Sequence, residues 1–128
     1  MSRDLFTDTT SLVLAKCLDA AAVRHKVIAN NIANVETPGY KRSEVLFEDH
    51  LKQVLEGADR RLVKRRVREL EPVVTTVTLS PSRPDGNNVS IDREMADLAK
   101  NSLRYEAAVQ ILNLKNAMIR TVLTEGRR

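Results

Sequence analysis

Apolar residues recur at both ends of this chain at alternating spacings of four and three, a pattern that requires long helices with partners. Near the N-terminus the series runs Leu14, Leu18, Ala21, His25, Ile28, Ile32 and Val35, with one polar interruption. Near the C-terminus one seven-residue series reads Ile91, Leu98, Tyr105, Leu112 and Ile119, and its companion reads Met95, Ser102, Val109, Asn116 and Leu123. Such spacing puts every member on one stripe of a helix, the seam of a coiled coil. Ala15, Ala22 and Ala29 flank the first seam at seven-residue intervals and leave room for close approach. At 1.5 Å per residue the two helices would measure about 33 and about 50 Å. They are expected to pair as an antiparallel hairpin, with Leu14 and Leu18 near Ile119 and Leu123, and Ile32 near Leu98. His25, Ser102 and Asn116 read as register devices that weaken the seam.

The first helix has a firm stop. Asn30, Asn31 and Asn34 fall in its last turns, where their amides compete for backbone hydrogen bonds. Thr37-Pro38-Gly39-Tyr40 then fits a tight turn. Proline pre-sets φ at the first central position, glycine supplies φ > 0 at the second, and Thr37 is steered out of the helical region. One asparagine here would read as a cap. Three of them, with Asn30 and Asn34 on one face, also offer donors and acceptors to another chain. With Leu14, Ile28 and Ile32 facing the hairpin partner, all three amides are expected to project toward a neighbouring subunit.

The middle is less regular. Leu46 to Leu55 reads as a short helix with Leu46, Phe47, Leu51, Val54 and Leu55 on one face, ended by Gly57. Arg60, Arg61, Lys64, Arg65, Arg66 and Arg68 come next, six basic residues in nine positions. They are read as a solvated linker or helix face, with a phosphate-binding strip as the alternative. Val73 to Leu79 is β-branched and could be a strand, given a partner from a neighbouring chain or from the basic segment. Pro81, Pro84 and Asp85-Gly86-Asn87-Asn88 punctuate the stretch before the last helix. The expected organisation is an N-terminal helix and turn over 1–41, a short helix over 42–56, a mobile loop or linker over 57–90 with a possible strand at 73–79, and a C-terminal helix over 91–125. Thr9, Thr10 and Ser11 are candidate N-caps for the first helix, Asp92 for the last, and Gly126 is its candidate C-cap.

The expected fold class is therefore mainly α: an antiparallel coiled-coil-like hairpin of terminal helices around a mostly irregular middle. Several functions are disfavoured by composition. No glycine-rich phosphate loop, metal-spaced cluster or nucleophile-plus-base motif is present, so an enzyme is not expected. His50 stands in no metal-ligand pattern, and the single Cys17 cannot form an intramolecular disulfide framework. A small helical nucleic-acid-binding protein using the 60–68 run is the alternative reading. Against it, the two Tyr and two Phe all lie outside that run. Asp4 and Asp8 interrupt the N-terminus, so no cleaved signal peptide is expected.

Two stretches carry a resemblance. Asn30-Asn31-Ile32-Ala33-Asn34 with Thr37-Pro38-Gly39-Tyr40-Lys41 resembles the N-terminal motif of the flagellar axial proteins, the rod and hook components of the bacterial flagellum. Members often carry asparagine, aspartate or a small residue where this chain has Glu36. Asp85-Gly86-Asn87-Asn88-Val89-Ser90-Ile91-Asp92-Arg93-Glu94, followed by Asn101-Ser102-Leu103-Arg104-Tyr105, is similar to the C-terminal region of the proximal rod members. The likeness covers roughly residues 10–56 and 84–125 and does not reach 57–80. It implies a structural subunit of the basal-body proximal rod, with residues 30–34 and 37–40 as assembly motif and Asp85, Gly86, Asn87 and Val89 as a second motif. Such a subunit would be exported unfolded by the flagellar type III apparatus and polymerised in the periplasmic space into a torque-transmitting shaft. Implied partners are copies of itself, other proximal rod proteins, the hook–basal body adaptor, the membrane ring and, in transit, the export apparatus. No cofactor, metal, nucleic acid or small-molecule substrate is implied.

Overall fold

The computed structural model describes residues 8–126 of the 128-residue chain. The interruption at Asp4, and the start of the expected 1–41 segment, lie outside the described residues. Helix α1 spans Thr9–Ala33, strand β1 Ser43–Leu46, helix α2 Glu48–Leu55, helix α3 Arg60–Glu69, strand β2 Val73–Thr76 and helix α4 Ile91–Glu125. The fold is mainly helical, with two long terminal helices and a small sheet. Asp8, rather than Thr9 to Ser11, caps α1 by accepting from the Ser11 amide at 3.0 Å. Ser90, two residues before Asp92, is the N-cap of α4, and Gly126 is its C-cap.

The terminal helices pair antiparallel. Asp8 meets Lys115, the Ala21 carbonyl accepts from Asn101, and Asn31 donates to Glu94. This register differs from the expected one. Leu14 shares a groove with Ala108 and Ile111, so Ile119 and Leu123 run past it. From Asn116 onward α4 extends beyond the first residue of α1. The phase of the α4 seam differs too. The positions turned inward are Glu94, Leu98, Asn101, Ala108, Leu112, Lys115 and Ile119, while Ile91, Met95, Ser102, Tyr105, Asn116 and Leu123 are exposed and Val109 is half-buried. The companion series therefore sits one residue earlier than its apolar members suggest, about 100° around the helix. On α1, Ala21 and Ile28 are buried, Leu14, Leu18 and Ile32 are half-buried, and His25 is exposed.

The main apolar core lies outside the hairpin. A second face of α1, centred on Ala20 with Val13, Cys17, Val23 and Val27 around it, packs on Val45, Phe47, Leu51, Val63 and Val67. Residues 57–90 are irregular over most of their length, but they also hold helix α3, which the loop reading did not include. Val63 and Val67, four apart inside the basic run, form the buried side of α3, and Asp59 caps it through the Arg61 amide at 2.9 Å. Gly57 permits the turn into α3, since a Cβ there would meet Val63 Cγ2 at 3.0 Å. The β-branched stretch is a strand only over Val73–Thr76, and its partner within the chain is β1 rather than the basic segment. The pair is antiparallel, with Ser43 opposite Thr76 and Leu46 opposite Val73. Leu46 therefore belongs to β1, and α2 begins at Glu48. No helix among the described residues is long and apolar enough to cross a membrane.

Candidate assembly site

Both sequence motifs fold to the same place. At the end of α1, Asn34 is the C-cap residue, and its Nδ2 donates to the Asn30 carbonyl at 2.8 Å. Thr37 Oγ1 donates to Asn34 Oδ1 at 3.1 Å. The Thr37-Pro38-Gly39-Tyr40 turn closes with the Tyr40 amide on the Thr37 carbonyl at 3.2 Å, and Gly39 has φ 73°. The second motif docks onto this turn. The Gly39 amide donates to the Asp85 carbonyl at 2.8 Å, and a Cβ on Gly86 would touch Gly39 Cα at 3.4 Å.

Asn87 fastens the two motifs. Its Nδ2 lies 2.9, 3.0 and 2.8 Å from the carbonyls of Asn34, Val35 and Thr37, so two hydrogens serve three acceptors. Those carbonyls lie just past the helix end, where backbone acceptors lack helical partners. The Arg83 guanidinium also donates to the Val35 carbonyl, placing a cation where the α1 dipole favours one. Asn87 Oδ1 accepts from Val89, which fixes the side chain.

Asn31 does not face a neighbour. It is fully buried: Nδ2 donates to the Ser43 carbonyl at 2.8 Å and to Glu94 Oε2 at 3.0 Å, and Oδ1 accepts from the Ser43 amide at 2.9 Å and the Tyr40 hydroxyl at 3.3 Å. Both its hydrogens and both its lone-pair directions are used. By gripping both polar groups of Ser43, the amide acts as a neighbouring strand would at that point of β1. Of the other motif residues, Ile32 and Tyr40 are half-buried, and Ala33, Thr37, Pro38 and Gly39 are exposed. Asn30 is exposed, and among the described residues its side chain makes no hydrogen bond.

Beneath Asn31 lies a buried ion pair that the sequence spacing did not reveal. Arg42 Nε donates to Glu94 Oε1 at 2.7 Å, with side chains 4% and 0% exposed. Burial alone would destabilise the Arg42 cation, but Glu94, Glu44 and Asp97 raise its pKa instead. The Arg42 amide donates to Asn88 Oδ1 at 2.6 Å, and Asn88 Nδ2 reaches the Val77 carbonyl and Ser80 Oγ, both at 2.7 Å. The available signal was the spacing of Glu94, Leu98 and Asn101, which continues a seam but was obscured by its polar members. Asn101 is the odd member: its Oδ1 is buried without a partner among the described residues.

The network can hold a shape, and its geometry suggests no reaction. No group of three or more metal-ligating side chains occurs among the described residues. Burial pushes the Cys17 thiol up, and Glu48 adds to the effect, so the thiolate is disfavoured.

The sequence matches a family model described as flagella basal body rod protein over residues 12–41, which covers most of α1 and the turn. Flagellar basal body rod protein FlgB of Bacillus subtilis (strain 168) is 36% identical over 121 residues, covering 89% of this chain and 92% of that protein. FlgB of Escherichia coli (strain K12) is 32% identical over 124 residues, and FlgB of Yersinia enterocolitica 30% over 124, each covering 87% of this chain and 90% of the relative. The likeness runs through the middle segment as well as both motifs, and on it the chain belongs to the FlgB family of flagellar basal body rod proteins.

Proposed function

We propose that this chain is a structural subunit of the flagellar proximal rod and works by assembly rather than catalysis. The observation that carries the reading is the C-terminal part of α4. Leu114, Met118 and Val122 form an exposed apolar stripe on a helix that outruns its hairpin partner. Apolar surface at helical spacing on an exposed helix is covered in an assembly. Its partners are copies of itself and other rod proteins, with the hook–basal body adaptor and membrane ring at the base and the export apparatus in transit. The rod lies in the periplasmic space. The exposed part of the first motif, Asn30 with Thr37 and Pro38, faces a neighbouring subunit. The second motif and Asn31 act within the chain and hold that surface in shape.

The test is imaging of basal bodies from cells lacking the gene, complemented with the native chain or with Leu114→Asp/Met118→Asp. The native chain restores rods. The variant, exported and carrying native helix content, leaves basal bodies without them. Normal rods from the variant would overturn the role given to this stripe.

A further inference from the structure

The outward face of helix α3 takes no part in the contacts described above. Its Val63 and Val67 are turned into the core, so the helix is fixed in place and its remaining circumference is presented outward. Arg61, Arg65 and Arg68 stand at i, i+4 and i+7 on the far side, a single row about 10 Å long. Arg60, Lys64 and Arg66 fan out on its flanks. Among the described residues none of the six makes a salt bridge, although the same chain pairs Lys16, Arg24, Arg42, Arg83, Arg93, Arg104 and Lys115 with carboxylates. The chain has 21 basic and 17 acidic residues, so without these six the acidic residues would be in excess. Six of the 21 basic residues thus stand together on one short helix held in place by its buried side.

We infer that this face docks on a bilayer surface rich in acidic phospholipid. Clusters of four to eight Lys or Arg on a helix are attracted to anionic headgroups, about fivefold in affinity per cation. The fan of cations matches a plane of diffuse charge better than one acidic side chain on a protein. Nucleic acid fits less well, because no aromatic accompanies the row to stack on bases and the back of the helix is held against α1 and α2. The apolar side of α3 is already used in the core, so it cannot insert. Binding is peripheral, reversible and abolished by salt. The inference does not depend on how subunits contact one another in the rod.

The experiment is co-sedimentation of the full chain with vesicles of phosphatidylglycerol and phosphatidylcholine in equal parts, and with vesicles of phosphatidylcholine alone. The chain is expected on the acidic vesicles at ~0.05 M salt and off them at ~0.5 M, where the screening length falls to a few ångströms. R61Q/R65Q/R68Q should lower the affinity about 100-fold with unchanged helix content. R61K/R65K/R68K, which keeps charge but not the guanidinium fork, should bind within a few-fold of the native chain. Equal binding to neutral vesicles, native binding by the glutamine variant, or loss of binding in the lysine variant would each overturn the inference. So would binding to duplex DNA or an acidic polypeptide together with failure on acidic vesicles.

Discussion

Asn31 and Asn30 are adjacent in sequence and opposite in role. Replacing Asn31 by alanine leaves the Ser43 amide and carbonyl and one Glu94 oxygen buried without partners, at about 1–3 kcal/mol for each group. The expected result is a loss of several kcal/mol in denaturant unfolding of the free chain. Asn30→Ala removes an exposed side chain and should leave stability within about 0.5 kcal/mol, while impairing motility through the subunit contact. Changing all three asparagines together, which helix propensity alone would favour, therefore unfolds the turn region through Asn31. The Arg42–Glu94 pair behaves as a unit. Glu94→Ala strands a buried cation and should cost about 3–5 kcal/mol. Arg42→Met/Glu94→Leu should cost markedly less than that, which a double-mutant cycle reads directly.

The hairpin register can be checked by chemistry. Cysteines at Leu14 and Ile111, in a Cys17→Ser background, should form a bond within one chain, because both line the same groove. Cysteines at Leu18 and Ile119 should not, being displaced by roughly 15 residues of helix, or about 22 Å, from the register set by Ala21 and Asn101. A fast intrachain bond between Leu18 and Ile119 would show that the helices slide. The same end of the hairpin is acid-sensitive. Burial pushes the Asp8 carboxyl up, but Lys115 and the Ser11 amide pull it further down, to about 2. A depressed carboxylate stabilises the fold above its ordinary pKa of 3.8 and loses that contribution as pH falls toward 2. Asp8→Asn should flatten this limb of the stability–pH curve and leave the rest unchanged. The helices themselves were legible from their period. The phase of α4 was not, because the inward series reads Glu94, Asn101, Ala108 and the half-buried Lys115, and hydropathy hides a seam made of polar partners. Strand β1 was equally hidden: of its four residues only Val45 is buried, and its pairing with β2 spans a helix pair.

At the scale of the molecule, stability is distributed differently from a hairpin that needs its neighbours throughout. Hydrogen exchange in the free chain should be slow at α3 and around Phe47, whose alanine variant should lose about 3–5 kcal/mol. Exchange should be fast in α4 beyond Lys115 and in the loop around the fully exposed Leu79. Uniform fast exchange over residues 57–76 would contradict the packing of α3. Composition concealed this because six cations outweigh two valines in any average, although Val63 and Val67 have the spacing of a buried face.

The motif junction also sets what may vary between relatives. Gly39 meets Asp85, Arg42 meets Asn88, and Asn87 holds the end of α1, so the chain leaves and returns through one gate. Everything between starts and ends at that gate. It shelters the Ala20 face of α1 and supplies the Ser43 backbone that Asn31 grips. A rod subunit built this way is a fixed socket with an exchangeable plug, and proteins of one shaft could differ in girth and outer chemistry while keeping identical ends.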